Sequence, residues 1–337
     1  MEKGQNLLLS IIVPVYNVEE YIRPCIKSLF HQGLDDDCFE VIIVNDGTKD
    51  HSIEVIQDII EEHKNITILN QENQGLSVAR NNGIAMAKGE YILMPDSDDL
   101  LIENRLKPLL EKAIETKVDL VVADFISLKD QDIKDIHQHI PKQPTPVYVE
   151  KTGEQIFLGI LNPYYCYVWR TLYRREFINK HHLSFFPGIR YQDIPFTHEC
   201  YLKANRCLRT NMILNIYRRW SGSSTNAYKK DNTKDFIIAL NETWKLRQIK
   251  GLSPKILHKL EKDVYISFRT MLFHVLHTTK KTIDRNEIID YLNHNAPDIK
   301  FNHNIRQRYM TRMIRRMPHL FINLYYLYAK VAYKIKH

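Results

Sequence analysis

Three carboxylates stand close together in the first third of the sequence, at a spacing that suits a bound metal ion. Asp96, Asp98 and Asp99 closely follow the apolar run 91–94. A short apolar run that ends in acidic residues is typical of a buried strand whose end emerges at the rim of a cleft. Residues two apart on extended backbone point to the same side, so Asp96 and Asp98 can face one ion. Carboxylates suit Mg2+ or Mn2+ shared with a diphosphate; the competing interpretation is a solvated acidic turn that caps the next helix.

The elements around this motif alternate between strand and helix. Apolar, strand-like runs occupy residues 7–15, 39–44, 66–69, 91–94 and 119–125. Helical patterns lie between them at 18–31, 52–63, 75–87 and 102–116. The alternation predicts an α/β fold with a mostly parallel central sheet and flanking helices. Ligands bind beyond the carboxyl ends of strands in such sheets, so we expect Tyr16, Asp46 and Asp96, which each follow a strand, to share one site.

The pattern changes after residue 231. Segments with helical periodicity dominate there, at 235–249, 254–278, 285–293 and 304–334. We therefore expect a helical C-terminal appendage. The predicted domains are 1–225, which contains the parts 7–125 and 150–225, and the helical basic region 231–337.

Composition and charge narrow the class of protein. A hydrophobic content of 44% with 26% charged residues is typical of a globular protein. The five cysteines are scattered and never spaced as Cys-x-x-Cys, which indicates reduced thiols and no zinc site. The sequence shows no signal peptide and no run of the roughly 18 apolar residues that cross a bilayer. We therefore expect a cytoplasmic protein.

The net charge of +7 is concentrated toward the C-terminus, where residues 300–337 contain no Asp or Glu. Basic and large apolar residues alternate at helical spacing from Arg306 to Tyr328. That pattern suits a helix on an anionic membrane surface, here the inner face of the plasma membrane. The alternative is an amphipathic helix that packs on its own domain or on a partner subunit.

Four motifs, taken in order, resemble one enzyme family. They are SIIVPVYN at 10–17, VNDGTKD at 44–50, NQGLSVARNNG at 73–83 and DSDD at 96–99. Together they resemble the family 2 inverting glycosyltransferases, which have the nucleotide-diphospho-sugar transferase fold of GT-A type. The resemblance is strongest over residues 7–110 and continues more weakly to about residue 224.

The resemblance implies how a donor nucleotide would be bound. Pro14 and Tyr16 would end the first strand under the nucleotide, with the Tyr16 ring on the base, although a rim or core aromatic is the alternative. Asp46 would accept a hydrogen bond from uracil N3–H. The family commonly has Asp-Asp-Gly-Ser here, and Asn45 replaces the first Asp, which leaves the residue assigned to the base in place.

The same resemblance implies the residues around the diphosphate. Arg80 would reach the diphosphate, unless it is a solvated helix arginine. Asp96 would lie near the ribose and the metal, and Asp98 would bind Mn2+ or Mg2+ directly. The ion would neutralise the departing diphosphate.

The acceptor side is expected in the second half. Trp169 would offer a flat face to a sugar ring, or else be a core aromatic. Asp193 would be the catalytic base that deprotonates the acceptor hydroxyl. Gln192 stands before it where the family usually has Glu, and the alternative role of Asp193 is to cap a helix that begins at Pro195. Residues 217–225 resemble a flexible segment that can fold over the donor, with a plain surface loop as the alternative.

The predicted function is a metal-dependent inverting glycosyltransferase. It would move one sugar from a UDP-sugar, or another nucleotide sugar, to a glycan or lipid-linked acceptor in bacterial surface polysaccharide synthesis. Arg219-Trp220 lacks the Gln of the Gln-x-x-Arg-Trp signature of processive synthases, which favours single transfer. The alternatives are a nucleotidyltransferase, which needs a glycine-rich loop where this chain has Tyr16 to Glu20, and a non-catalytic module that binds sugar nucleotides or nucleic acid. We expect no nucleic-acid partner.

Overall fold

The computed structural model describes residues 7–142, 145–161, 166–220, 230–296, 299–302 and 304–336. Its strands are β1 (Leu9–Val15), β2 (Phe39–Asn45), β3 (Ile66–Asn70), β4 (Tyr91–Leu93), β5 (Leu100–Leu101), β6 (Leu120–Lys129), β7 (Tyr148–Lys151), β8 (Thr171–Arg174) and β9 (Cys207–Arg219). Its helices are α1 (Ile22–Phe30), α2 (Gln57–Glu62), α3 (Leu76–Met86), α4 (Leu106–Thr116), α5 (Ile136–His139), α6 (Gly153–Gly159), α7 (Arg175–Lys180), α8 (Asp193–Lys203), α9 (Lys230–Lys245), α10 (Pro254–Thr278), α11 (Thr282–Asn295), α12 (Ile305–Arg316) and α13 (Pro318–Lys336).

The chain forms two compact units. The first comprises Met1–Gly159, Tyr167–Gly188 and Cys200–Ser223, and it contains the whole sheet. The second comprises Ile160–Cys166, Ile189–Glu199 and Ser224–His337. Among the described residues, no helix is both long enough and apolar enough to cross a membrane.

The sheet of the first unit is mixed, with the order β3-β2-β1-β4-β8-β6-β9-β5 and with β7 paired to β9. The four strands β3, β2, β1 and β4 are neighbours in this order and run parallel, whereas β8 pairs antiparallel with both β4 and β6. The α/β fold with flanking helices and a helical C-terminal region is therefore confirmed. The alternating pattern predicted β1 to β4 and β6, whereas β8 comes from a later segment that the pattern did not assign to the sheet.

The register of the parallel half brings several strand ends to one edge. Val15 pairs with Asn45, and Asn45 pairs with Asn70. All seven residues of β1 are buried, as expected for a parallel strand covered on both faces. Helix α3 packs closely on this strand, since a Cβ at Gly83 would lie 2.3 Å from Ile12 Cγ2. The residues that follow β1, β2 and β4 therefore meet at the carboxyl edge of the sheet.

Two helices begin later than the sequence pattern predicted. The amide groups of Val18 and Glu19, in the turn before α1, donate to Ser52 Oγ and Asp50 Oδ2, both at 2.9 Å. Helix α1 starts at Ile22 instead, which places Pro24 in its first turn, where no amide donor is needed. The region predicted as one helix at 52–63 contains a 3-10 turn, Glu54–Ile56, followed by α2.

The second unit is helical. Its core is built from apolar residues of α9, α10, α11 and α13, among them Leu240, Phe268, Ile289 and Ile322, which are at most 1% exposed. The helix predicted at 304–334 is in fact two helices, α12 and α13. The break falls at Met317, where φ is −141°, because Pro318 disfavours helical backbone in the preceding residue.

Candidate active site

The three carboxylates that end the β4 segment lie together. Asp96, Asp98 and Asp99 each offer a ligand oxygen, and these oxygens lie within 4.8 Å of one another. Asp98 Oδ2 accepts a hydrogen bond of 2.8 Å from the indole Nε1 of Trp220. Asp99 Oδ1 accepts one of 2.8 Å from the Arg218 amide, and its buried Oδ2 has no hydrogen-bond partner among the described residues. A cluster of hard oxygen donors with one unsatisfied oxygen fits a divalent cation such as Mg2+ or Mn2+.

Burial and mutual repulsion raise the pKa values of two carboxylates of the cluster, Asp96 and Asp99. Burial raises the pKa of Asp99 well above its ordinary value, and the charges of Asp98 and Asp96 raise it further. Burial also raises the pKa of Asp96, where the Arg80 guanidinium opposes the shift and the Asp98 charge adds to it. Like charges gathered at buried or partly buried positions favour a proton or a cation, so metal binding is expected to compete with protonation.

Arg80 lies beside the cluster. It is on α3 and only 2% exposed, and its Nη2 donates to Asp96 Oδ1. Its guanidinium lies 5.3 Å from the centre of the Phe185 ring. The alternative of a solvated helix arginine is therefore wrong, and a buried positive charge stands at the carboxyl edge of the sheet.

Asp46 organises the loop that leads into α3. The carboxylate is 3% exposed. Its Oδ1 accepts hydrogen bonds of 2.8 Å from Gln71 Nε2 and from the Gln74 amide, and its Oδ2 accepts one of 2.9 Å from the Gly75 amide. Gly47 supports the close approach of the two loops, because its φ is +67° and a Cβ there would lie 2.9 Å from the Asn73 nitrogen.

The two residues that flank Val15, the last residue of β1, differ in solvent exposure. Pro14 is buried within the strand, and Tyr16, just beyond it, is 41% exposed. The structure thus places Tyr16 at the rim, at the same edge as Asp46. A rim aromatic was one of the two interpretations left open by the sequence.

Asp50 joins the loops after β1 and β2, a role that the sequence did not reveal. Its Oδ1 accepts from Thr48 Oγ1 and Ser52 Oγ, both at 2.6 Å, and its Oδ2 accepts from the Glu19 amide. Burial alone would raise its pKa, but the hydrogen bonds from Ser52, Thr48 and the two amides of Glu19 and Ser52 lower the pKa of Asp50 to about 2. The local signal was a Thr-x-Asp-x-Ser run, in which each hydroxyl stands two residues from the carboxylate.

Trp169 lies in the core of the first unit. It is 1% exposed, stacks on Tyr167 at 4.7 Å, and meets Phe125 edge to face at 5.0 Å. Of the two interpretations that the sequence left open, the structure therefore supports the core aromatic. The prediction that Trp169 stacks on a sugar ring is therefore corrected, because its ring is enclosed by other aromatic side chains.

Asp193 belongs to the second unit. It is half-buried and is the first residue of α8, two residues before the expected start at Pro195. A carboxylate in the first helical turn is favoured by the helix dipole. The preceding Gln192 is 2% exposed. Of the predicted flexible segment at 217–225, residues 221–225 lie outside the described residues.

Comparisons with known proteins converge on one family. Residues 10–181 match the family model described as glycosyl transferase family 2. The glycosyltransferase EpsJ of Bacillus subtilis is 37% identical over 222 residues, which are 65% of this chain and 63% of EpsJ. The glycosyltransferase YibD of Escherichia coli is 31% identical over 228 residues, which are 66% of this chain and 65% of YibD. The chain thus spans slightly less than two thirds of the length of these relatives.

Solved structures share the fold. Staphylococcus aureus TarS 1–349 in complex with UDP has a TM-score of 0.68 at 18% identity, covering 98% of this chain and 92% of that one. A mannosyltransferase from Pyrobaculum calidifontis, in complex with GDP-Man and Mn2+, has a TM-score of 0.52 at 14% identity, covering 96% of this chain and 86% of that one. At such identities the similarity shows the fold.

Proposed function

Because this chain belongs to glycosyl transferase family 2, we propose that it is a metal-dependent inverting glycosyltransferase that moves one sugar from a nucleotide-diphosphate sugar to an acceptor hydroxyl. The observation that carries the proposal is the cluster of Asp96, Asp98 and Asp99 beside the buried Arg80, at the carboxyl edge of the parallel half of the sheet. This edge is where ligands bind in open α/β sheets. In this proposal residues 7–125 bind the donor and residues 150–225 the acceptor.

The proposed donor is a UDP-sugar. A carboxylate oxygen can accept two hydrogen bonds, and Asp46 Oδ2 accepts one, from Gly75, among the described residues. The second position suits uracil N3–H, with the Tyr16 ring against the base and Pro14 beneath it. A fold neighbour that contains UDP supports this choice, whereas the more distant neighbour contains GDP-Man.

Asp96 and Asp98, with Asp99 beside them, are the residues that would hold Mn2+ or Mg2+. When bound, the ion would supply positive charge against the departing diphosphate. Arg80 adds a fixed guanidinium next to Asp96, and its burial strengthens its attraction for phosphate oxygens.

The proposed catalytic base is Asp193. In a single displacement the acceptor oxygen attacks the anomeric carbon, the bond from that carbon to the diphosphate oxygen breaks, and Asp193 takes the hydroxyl proton. The nucleotide diphosphate leaves on the opposite face, so the anomeric configuration is inverted. Gln192 cannot ionise, so it neither repels the diphosphate nor shares a proton with Asp193.

The proposed acceptor is a glycan or a lipid-linked sugar of a bacterial surface polysaccharide, and the enzyme would act at the inner face of the plasma membrane. Two exposed helix faces of the second unit support this placement. Helix α13 exposes a stripe of large apolar residues at helical spacing, Leu320, Leu324, Leu327, Tyr328 and Val331, which are 49–59% exposed. Helix α12 exposes Ile305 and Tyr309 together with Arg312 and Arg316. Such faces suit the interface of an anionic bilayer.

The test measures nucleotide release from UDP-sugars and GDP-mannose in the presence of Mn2+. We expect the wild-type chain to release UDP from one UDP-sugar, faster with the correct acceptor. Asp98→Ala should abolish the metal-dependent rate. Asp193→Asn should lower kcat by about 100-fold or more, the usual contribution of a general base, with little change in donor binding.

The matched control is Asp290→Asn, a change of the same kind at a half-exposed aspartate of the second unit that pairs with His319. We expect this variant to keep the wild-type rate. A folded Asp193→Asn variant that transfers sugar at the wild-type rate would remove the assignment of the base. Equal rates in wild type and Asp98→Ala would remove the metal site.

A further inference from the structure

The end of β9 lies against the carboxylate cluster and holds two of its members. The Trp220 indole donates to Asp98 and the Arg218 amide donates to Asp99, each at 2.8 Å. Trp220 and Asp98 are 122 residues apart in sequence. Strand β5 follows the cluster directly and pairs antiparallel with β9, Leu100 with Ile216, so the two segments are joined by backbone hydrogen bonds as well.

The partly buried indole of Trp220 has an aromatic neighbour. Its ring lies 4.6 Å from the ring of Tyr21, and the Arg218 guanidinium lies 5.1 Å from the same tyrosine ring. Arg218 is 5% exposed and its Nη1 donates to Asp130 Oδ1 at 3.0 Å. The indole that donates to Asp98 therefore lies next to a linked group of side chains, Tyr21, Arg218 and Asp130.

The three carboxylates differ in what neutralises them. Asp96 is paired with the charged Arg80, and Asp99 is buried and bonded to a backbone amide. Asp98 accepts its bond from an uncharged donor, which orients the carboxylate and leaves its negative charge available. With Oδ2 engaged by Trp220, Oδ1 is the oxygen that has no hydrogen-bond partner among the described residues, and it can take a cation in a fixed direction.

We propose that Trp220 is a positioning residue that orients Asp98 as a metal ligand. This inference rests on the metal site of the proposed function. A group that orients a metal ligand typically contributes about 10–100-fold to metal affinity. A purely structural role for Trp220, through its contact with Tyr21, would instead lower stability and leave the metal affinity unchanged.

The variant that separates the two roles is Trp220→Phe, which keeps an aromatic ring next to Tyr21 and removes the N–H. Mn2+ binding to the full chain, without donor, is measured by titration calorimetry and by the EPR signal of free Mn2+. We expect Trp220→Phe to bind Mn2+ about 10–100-fold more weakly than wild type. The control is Trp244→Phe, which removes an indole whose Nε1 is buried in the second unit, and its affinity should equal that of wild type.

A second measurement uses only the wild-type protein, so it does not depend on whether a variant folds. The chain has three tryptophans, so a wild-type sample labelled with 15N-indole gives three resolved N–H signals. Titration with Mg2+ should shift the Trp220 signal more than those of Trp169 and Trp244.

The outcomes are distinct. Two results would overturn the inference and leave the metal site intact. The first is a folded Trp220→Phe variant that binds Mn2+ with wild-type affinity. The second is a Trp220 signal that Mg2+ does not shift, although Asp98→Ala loses Mn2+ binding. Failure of the wild-type chain to bind Mn2+, alone or with UDP, overturns the metal site of the proposed function and the inference with it.

Discussion

His198 is a buried histidine that the fold keeps neutral. Its Nδ1 lies 2.7 Å from the Ile194 carbonyl oxygen, which must accept, so Nδ1 carries the proton. Burial lowers the pKa of His198 from 6.5 to about 4; the Ile194 bond opposes this shift and the Lys259 charge adds to it. The native state thus excludes a proton that the unfolded chain binds below pH 6.5.

We predict a loss of stability in mild acid that depends on this residue. Above about pH 6.5 His198 does not contribute to the pH dependence of the free energy of unfolding. As the pH falls from about 6.5 to about 4, that free energy should decrease by on the order of 3 kcal/mol. Urea unfolding at pH 7.0, 5.5 and 4.5 measures the effect. The variant His198→Gln should flatten this dependence, and the exposed-site control His137→Gln should keep it.

The comparison of the wild type with His198→Gln also removes the contribution of the neighbouring Asp263. Asp263 Oδ2 lies 4.0 Å from His198 Nε2, and burial raises the pKa of Asp263, which gives its own contribution the opposite sign. That contribution is present in both the wild type and His198→Gln, so the difference between them reports the histidine. Equal slopes for the two proteins would mean that His198 titrates as it does in the unfolded chain.

Among the elements, the contact of α3 with β1 depends on a residue without a side chain. A Cβ at Gly83 would lie 2.3 Å from Ile12 Cγ2 and 3.3 Å from Ile12 Cγ1, and Ile12 is fully buried. We predict that Gly83→Ala lowers the free energy of unfolding by about 1–3 kcal/mol, the usual result of overpacking, when measured by urea denaturation.

Gly159→Ala is the matched control for this substitution. Gly159 is the last residue of α6, and an added Cβ there meets no atom of the described residues within 4 Å. Alanine should be neutral or stabilising by about 0.5–1 kcal/mol at such a helical position. Equal losses in the two variants would show that backbone entropy or helix propensity, and not the contact with Ile12, determines the effect.

The exposed stripe of α13 allows a test of the proposed membrane surface. The double variant Leu324→Glu/Leu327→Glu places two negative charges at positions that are 49% and 56% exposed. We predict that the wild-type chain sediments with vesicles rich in phosphatidylglycerol, less at high salt, and that the variant binds at least about 10-fold more weakly.

The control Val149→Glu changes a residue that is 44% exposed on β7, and it should bind vesicles as the wild type does. Vesicle binding that the α13 changes do not reduce would contradict the assignment of this face. If the changes instead convert an oligomer into monomers, as light scattering would show, the stripe is an interface between copies of the chain.

At the scale of the whole molecule, the sequence predicted what local patterns determine. The parallel strands up to β4, the cluster at Asp96 and Asp98, and the helical C-terminal region were all expected from periodicity, from residue type or from the resemblance. Thr152 and Gln155 form both hydrogen bonds of a capping box, whose Thr-x-x-Gln spacing is another such local pattern.

What the sequence did not predict depends on contacts between distant segments. The turn before α1 is held by Asp50 and Ser52, about thirty residues beyond the amides that donate to them. The burial of Trp169 depends on partners from other segments, among them Phe125. The indole bond to Asp98 likewise joins segments whose separation gives no local pattern.

The placement of β8 has a consequence for how the chain is made. β1 to β4 are all synthesised by Leu93, yet the outer side of β4 gains its neighbour only when Thr171–Arg174 has emerged. Until then β4 offers unpaired amides and carbonyls to any extended peptide nearby. A nascent chain that stalls before Thr171 therefore carries an open strand beside its most apolar segments, which makes it a substrate for chaperones and a seed for aggregation.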